Sequence, residues 1–336
     1  MASLAFPQWA KKATLSDGTT YGYIHVPAAE SKPTFLLLHG APSSSYVWRH
    51  QVDALPKAGF GVIAPDLLGY GDTDKPEEEG PYQMHCMVPQ IYELVTKAIG
   101  IDKVIGVGHD LGSPLLSHIY VHHKPLFSGL VFIAVGFTLV TARFDPDFLI
   151  ATSTQLLGYP TAGYTRLFVS PDGASLLDTH SLAFSSLLYT SDPTHWKTHL
   201  GAEGGLLSFL HSGETLPIAP WLSPAEFTLQ NAILAQGGYT GPLNWYKSAM
   251  NLPPAEEDVR LTEEEKRVEV PTLLVVPERD FVIVEAVQVH MTGAVAGERM
   301  RVEKVDAGHW AMLERREEVE GLLEGFGREL ELGGGL

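Results

Sequence analysis

The chain has a single cysteine, Cys86, in 336 residues, so no internal disulfide can staple it, and a reducing interior is the expected setting. None of Asn231, Asn244 and Asn251 begins an Asn-x-Ser/Thr sequon. Basic residues are scarce: 23 lysines and arginines face 40 acidic side chains, a formal net charge of −17. That balance repels nucleic acid and anionic membrane surfaces and favours a neutral or cationic small molecule as partner. The longest apolar stretch, Phe127 to Ala142, is interrupted by Ser128, Gly129, Gly136, Thr138 and Thr141. It falls short of the roughly 20 residues a spanning helix needs and reads as a buried strand running into a loop. Met1 to Leu15 lacks the apolar centre of a secretory signal, and Gly333 to Leu336 is neither a prenylation box nor a peroxisomal tripeptide. A cytosolic protein is expected. No His/Cys cluster has metal-ligand spacing, so neither a metal nor an organic cofactor is expected.

What is present is a recurrence of short apolar runs: Phe35 to Leu38, Gly61 to Ala64, Val104 to Val107, Leu130 to Val135, Thr272 to Val276 and Met300 to Val305. Such runs read as buried parallel strands. Amphipathic segments at Trp48 to Ala58, Val88 to Ile99, Pro114 to His123 and Arg315 to Leu330 would cover both faces of the sheet. The fold class is therefore α/β, a doubly wound, mostly parallel sheet. From Gly136 to about Leu252 the alternation stops and the text turns aromatic, Gly/Pro-rich and helical, which reads as an inserted cap. The organisation is a core over 1–136, a cap over 137–252 and a second part of the core over 253–336. Most cap aromatics read as packing. Pro253 to Arg267, strongly acidic, reads as a solvated return to the sheet.

The segment Val107-Gly108-His109-Asp110-Leu111-Gly112 has the shape of a nucleophile elbow, a tight strand-to-helix turn that displays its central side chain. Serine in that position needs a base before it can attack; the aspartate is already anionic at neutral pH. A carboxylate nucleophile suits attack on a saturated, electrophilic carbon. The product is an alkyl ester that water must then cut, and epoxides and alkyl halides are the corresponding substrates.

Cutting the ester needs a base, a group to orient it, and donors for the oxyanion. His309 follows the run Met300 to Val305 and is the base. Asp280, after Val275-Val276-Pro277-Glu278-Arg279, stands in the order nucleophile, acid, histidine and is chosen to orient it, with Glu278 or Asp147 as alternatives. Asp306 is too close to His309 in sequence for that geometry. Leu38-His39-Gly40-Ala41-Pro42 follows the first strong strand, and its turn would direct the Ala41 N–H at the oxyanion, with the Leu111 N–H as second donor. His39 and His109 flank these turns as structural partners.

Together these residues resemble the α/β-hydrolase fold epoxide hydrolases, from about Tyr21 to Phe326. The resemblance rests on His39-Gly40-Ala41-Pro42, Asp66-Leu67-Leu68-Gly69-Tyr70-Gly71, Gly108-His109-Asp110, Gly241-Pro242-Leu243-Asn244-Trp245-Tyr246, Glu278-Arg279-Asp280-Phe281 and Gly308-His309-Trp310. It implies two cap tyrosines, Tyr246 and Tyr164, on the epoxide oxygen, and a substrate pocket at His39, Pro42, Trp245, Phe281 and Trp310. Chemistry asks for the same tyrosines independently: an alkoxide is a poor leaving group, and a hydroxyl with a pKa near 10 can donate to it at neutral pH. Tyr159, Tyr189 and Tyr239 are alternatives to Tyr164. The family usually has tryptophan after the nucleophile; Leu111 keeps the backbone donor but removes an indole wall. The expected activity is hydrolysis of an apolar or aryl epoxide to a vicinal diol by a monomer or homodimer, in a detoxifying or a biosynthetic role. The rivals are a haloalkane or haloacid dehalogenase, and a binding protein that kept the fold.

Overall fold

The computed structural model describes residues 2–141 and 143–333. Ala142 and residues 334–336, on which part of the apolar-run and C-terminal readings fall, lie outside the described residues, as does Met1. Eight strands form one sheet in the order β1-β2-β4-β3-β5-β6-β7-β8. They are β1 (Ala10–Thr14), β2 (Thr20–Val26), β3 (Thr34–Leu38), β4 (Gly61–Pro65), β5 (Val104–His109), β6 (Phe127–Ile133), β7 (Thr272–Pro277) and β8 (Met300–Val305). β1 and β2 pair antiparallel, as do β2 and β4, and every pairing from β4 through β3 to β8 is parallel.

The central strands are apolar throughout because both faces are covered. In β3, Phe35 and Leu37 pack with Val52, Leu55 and Leu323 on one face, whereas Leu36 and Leu38 pack with Ile91, Leu115 and Ile119 on the other. This two-residue alternation places the helices Arg49–Lys57 and Arg316–Leu332 on one side and Met84–Glu93 and Gly112–His122 on the other. β8 differs from the buried-strand expectation: it is an edge, its first four residues only half-buried and Lys304 exposed. β1 and β2 were not expected at all, since β1 is polar and β2 carries Gly22 in its middle. A Cβ there would stand 2.3 Å from Asp72 Cβ. The hairpin turns at Asp17-Gly18, where Leu15 N–H donates to Thr19 O at 2.8 Å.

Between β6 and β7 the chain is helical, including Pro146–Leu157, Ser181–Leu188, Pro224–Ala235 and Thr240–Asn251. Its aromatics are mostly packing: Phe184, Tyr189, Trp196, Tyr239 and Trp245 are all buried. The return after it corrects the solvated-loop reading. A short helix, Glu256–Arg260, carries Asp258 into the interior at 2% exposure. The helix Glu285–Ala296 also went unread. No helix of the described residues is long and apolar enough to cross a membrane.

The elbow depends on close backbone approach. Asp110 takes φ +51°, and a Cβ on Gly112 would meet the Leu38 carbonyl oxygen at 2.2 Å. Gly112→Ala is expected to cost about 1–3 kcal/mol of stability, the range for forcing a methyl into packed atoms. Urea unfolding of the two proteins measures it, and an unchanged midpoint would mean that the elbow has slack.

Candidate active site

β3, β5, β7 and β8 all end at one edge of the sheet, and the loops that follow them meet there, as expected beyond the carboxyl ends of parallel strands. β3 and β5 are neighbours, with Leu38 beside Gly108, so the turn at Ala41 faces the elbow. The Ala41 N–H donates to Asp110 Oδ1 at 2.8 Å, and the Leu111 N–H also donates to this carboxylate. The other oxygen, Oδ2, lies 3.7 Å from His309 Nε2, beyond hydrogen-bond distance. The two carboxylate oxygens thus have different surroundings.

β7 and β8 are neighbours as well, with Pro277 beside Val305, so the loops carrying Asp280 and His309 run side by side. His309 Nδ1 donates to Asp280 Oδ2 at 2.7 Å, and Asp280 Oδ1 accepts the Val282 and Ile283 N–H groups at 3.0 and 3.2 Å. With its proton committed to Nδ1, the neutral imidazole presents a free Nε2 toward Asp110. The ring is held on three sides, by Trp196 at 5.4 Å, Trp310 at 5.1 Å and His109 at 4.7 Å between centroids. His109 Nε2 donates to the His309 carbonyl at 3.0 Å and fixes the loop. Of the alternatives to Asp280, Asp147 pairs with Arg166 at the surface; Asp306, set aside for its closeness in sequence, pairs with Arg279 and Arg315.

Burial pushes the Asp110 carboxyl up; His309 and the Ala41 and Leu111 donors oppose this without cancelling it. Burial pulls His309 down, but the charge and hydrogen bond of Asp280, with Asp110, carry it above the ordinary imidazole value. With His309 as the expected base, which must be neutral to act, the rate of cleavage of an Asp110 ester should fall as pH drops through the His309 pKa. In an Asp110 ester the Asp110 charge is gone, and the acid limb of kcat should lie below the pKa that NMR reports for His309 in the resting protein. Asp280→Asn removes a second raising charge: the limb should move further down in pH while kcat falls about a thousandfold or more, as for such a substitution in a serine-protease triad. A limb that stayed in place would detach Asp280 from the base.

A cavity of about 340 Å³ opens in front of the elbow. Asp110, Leu111, Tyr164, Tyr246 and Trp245 line it. The rings of Tyr164 and Tyr246 meet edge to face at 5.9 Å, each against Phe168 at 5.0 Å. Burial raises both hydroxyl pKa values and the Asp110 charge raises them further, so both stay protonated. Tyr189 and Tyr239 are buried in the cap, and Tyr159 packs against Phe281, so the alternatives to Tyr164 are away from this wall.

Four of the five expected pocket residues are not in the wall. His39 is fully buried, its Nδ1 donating to Gly40 O at 2.8 Å and its Nε2 accepting the Leu67 N–H at 2.9 Å. Trp310 is held by Leu188 O at 2.9 Å. Pro42 is buried in its loop, and Phe281 packs with Tyr159 and Lys197. Their proximity in sequence to site residues did not decide which way they point. Unread were the apolar walls Phe144, Phe148, Val284 and Met291, the support from Trp196, and Tyr70. The Tyr70 hydroxyl is buried without a hydrogen-bond partner among the described residues and feels the Asp110 charge. The Gly69-Tyr70-Gly71 turn was a visible signal for it; the others come from distant segments.

A parallel sheet of this order with a carboxylate on its elbow defines an α/β hydrolase, and residues 33–316 match the model of the alpha/beta hydrolase fold family. Among curated relatives, epoxide hydrolase 2 of Siraitia grosvenorii is 30% identical over 234 residues, covering 68% of this chain and 70% of that one. The bifunctional epoxide hydrolase 2 of Mus musculus is 29% identical over 306 residues, 89% of this chain and 52% of that one. The chain thus spans about half the length of the mammalian relatives it matches. The crystal structure of epoxide hydrolase A from Mycobacterium thermoresistibile superimposes with a TM-score of 0.75 at 25% identity, covering 94% of this chain and 98% of that one. The chain belongs to the epoxide hydrolase family of the α/β-hydrolase fold.

Proposed function

We propose that this chain hydrolyses epoxides to vicinal diols through an ester of Asp110. The observation that carries this reading is the divided state of the Asp110 carboxylate. Oδ1 is held by the Ala41 N–H, and Oδ2 faces His309 Nε2 at 3.7 Å in a cavity whose wall carries two protonated tyrosines. Oδ2 attacks one oxirane carbon, the C–O bond breaks, and the ring oxygen leaves with a proton from Tyr164 or Tyr246. Water then loses a proton to His309 Nε2 and adds to the Asp110 carboxyl carbon. The negative charge falls on Oδ1, where Ala41 already donates, with the Leu111 N–H as a further donor to the carboxylate, and collapse releases the diol. Phosphoryl or metal-activated steps are not needed.

The organisation that goes with this is a core, 1–136 and 253–336, carrying nucleophile and base, and a cap, 137–252, carrying the electrophilic tyrosines. The walls favour an apolar or aryl epoxide, and the protein is placed in the cytosol as a monomer or homodimer. The dehalogenase reading lacks support, because Leu111 offers no side-chain N–H to a halide.

The test is a panel of styrene oxide, trans-stilbene oxide, 1-bromobutane and fluoroacetate. Diol without halide is the expected result; halide without diol would move the chain to the dehalogenases. Tyr246→Phe and Tyr164→Phe should each lower kcat for the epoxides about a hundredfold, the lower end for loss of a general acid. Unchanged rates in the double variant would remove the tyrosines from the mechanism.

A further inference from the structure

The cavity continues past the nucleophile. Leu111, Pro114 and His118 line it in succession, spaced to share one face of the helix Gly112–His122. At the helical rise of 1.5 Å per residue, His118 stands about 12 Å along the axis from Asp110. The wall between is largely apolar, with Val135, Val140, Val287 and Met291. At its far end come two buried polar side chains, His118 and Asp258, 7% and 2% exposed.

His118 Nδ1 is 2.8 Å from Pro114 O, and a carbonyl only accepts, so Nδ1 carries the hydrogen and the neutral ring has its lone pair on Nε2. Burial lowers the His118 pKa despite the Pro114 and Val140 carbonyls and Asp258, which raise it; His122 lowers it further. Asp258 Oδ1 accepts from His122 Nε2 at 2.7 Å, which is enough to pin the helix Glu256–Arg260 to Gly112–His122. Oδ2 meets only His118 Nε2 among the described residues, at 3.9 Å, too long for a hydrogen bond. Asp258 Oδ2 is therefore an acceptor in the wall to which His118 gives no hydrogen bond, beside an imidazole ring on which the Pro114 and Val140 carbonyls act. The charge around them has the same sign: Asp110, Asp145 and Asp258 line the cavity against one cation, Arg143, which is exposed and donates to Met250 O.

We propose that His118 and Asp258 form a distal subsite that selects epoxides carrying a hydrogen-bond donor, a hydroxyl or an ammonium group, at the far end of an apolar chain, and disfavours anionic tails. The inference rests on the epoxide hydrolase reading and adds the class of substrate. A buried carboxylate oxygen gains from a donor what it cannot gain from a methyl group, whereas a carboxylate on the substrate would face Asp258 directly.

The experiment is kcat/KM for straight-chain terminal epoxides of increasing length, ending in methyl, hydroxyl, ammonium or carboxylate. At the length that reaches the subsite, the hydroxyl or the ammonium compound should exceed its methyl counterpart about tenfold or more, as for a hydrogen bond to a charged group, and the carboxylate should fall below methyl. Advantage for both donors or for either one supports the subsite. In Asp258→Asn the donor-to-methyl ratio should shrink toward one and the carboxylate penalty should ease; His118→Gln provides a second variant should the first fail to fold. Equal ratios at every length in the wild type, or ratios unmoved in the folded variants, would overturn the subsite while leaving epoxide hydrolysis standing. If no compound of the series were hydrolysed while styrene oxide was, the subsite would fall alone; if styrene oxide also resisted, the epoxide reading would fall and the subsite with it.

Discussion

Replacing His309 with glutamine is expected to leave the substrate covalently attached to Asp110. In the proposed mechanism the first step uses Oδ2 as nucleophile and the cavity tyrosines as donors, and neither depends on the imidazole. The second step depends on it, because only Nε2 stands near the nucleophile with its lone pair free, 3.7 Å from Oδ2. With no base, water meets an alkyl ester in a buried site and cleavage stalls. Steady-state turnover should drop by about four orders of magnitude, in the range for loss of one member of a hydrolytic triad. Intact-protein mass spectrometry after mixing with excess epoxide should show one increment equal to the whole mass of the epoxide, since ring opening expels nothing. Wild type should show the increment only transiently. Full turnover in the variant without an adduct would remove His309 from its role as base.

Asp110, Asp280 and His309, the proposed nucleophile, orienting acid and base, were legible because each follows a strand of the sheet, β5 and β7 buried throughout and β8 an alternating edge. A parallel sheet brings the loops after such strands to one edge, so the order Asp110, Asp280, His309 was enough to suggest their meeting, and the structure brings them together. The elbow was legible for a similar reason, since its glycines sit where backbone atoms crowd. The cavity wall was not legible. Phe148 comes from the helix Pro146–Leu157, and Val284 and Met291 from the N-cap and body of Glu285–Ala296, and which side of each helix faces the cavity is set by tertiary packing. His39 and Trp310 were misplaced for the converse reason: beside a site residue in sequence, they turn inward to satisfy Leu67 N–H and Leu188 O. Asp258 was hidden by composition, because an acidic run reads as solvated unless a histidine on another helix is known to wait for one of its members. The hairpin of β1 and β2 was missed because an edge strand need not be apolar.

Asp110→Ala should have the other large effect, loss of diol formation by about five orders of magnitude or more, because no other group in the cavity is placed to attack. Loss of activity alone would not separate a nucleophile from a carboxylate that activates water for direct attack on the ring. The fate of the oxygens separates them. In the proposed ester mechanism Oδ1 stays held by Ala41, and Oδ2 is the oxygen that bonds to carbon and leaves with the diol when the ester is cut. The water oxygen then remains in the Asp110 carboxylate. A single turnover of excess wild-type protein in heavy-oxygen water should therefore yield unlabelled diol and a labelled peptide containing Asp110. Label in the diol on that first turnover, with none in the peptide, would make Asp110 a general base and end the ester mechanism. Repeated turnovers must change the pattern: with Oδ1 still held by Ala41, the labelled oxygen occupies the free position and attacks next, so the diol should acquire label from the second cycle onward.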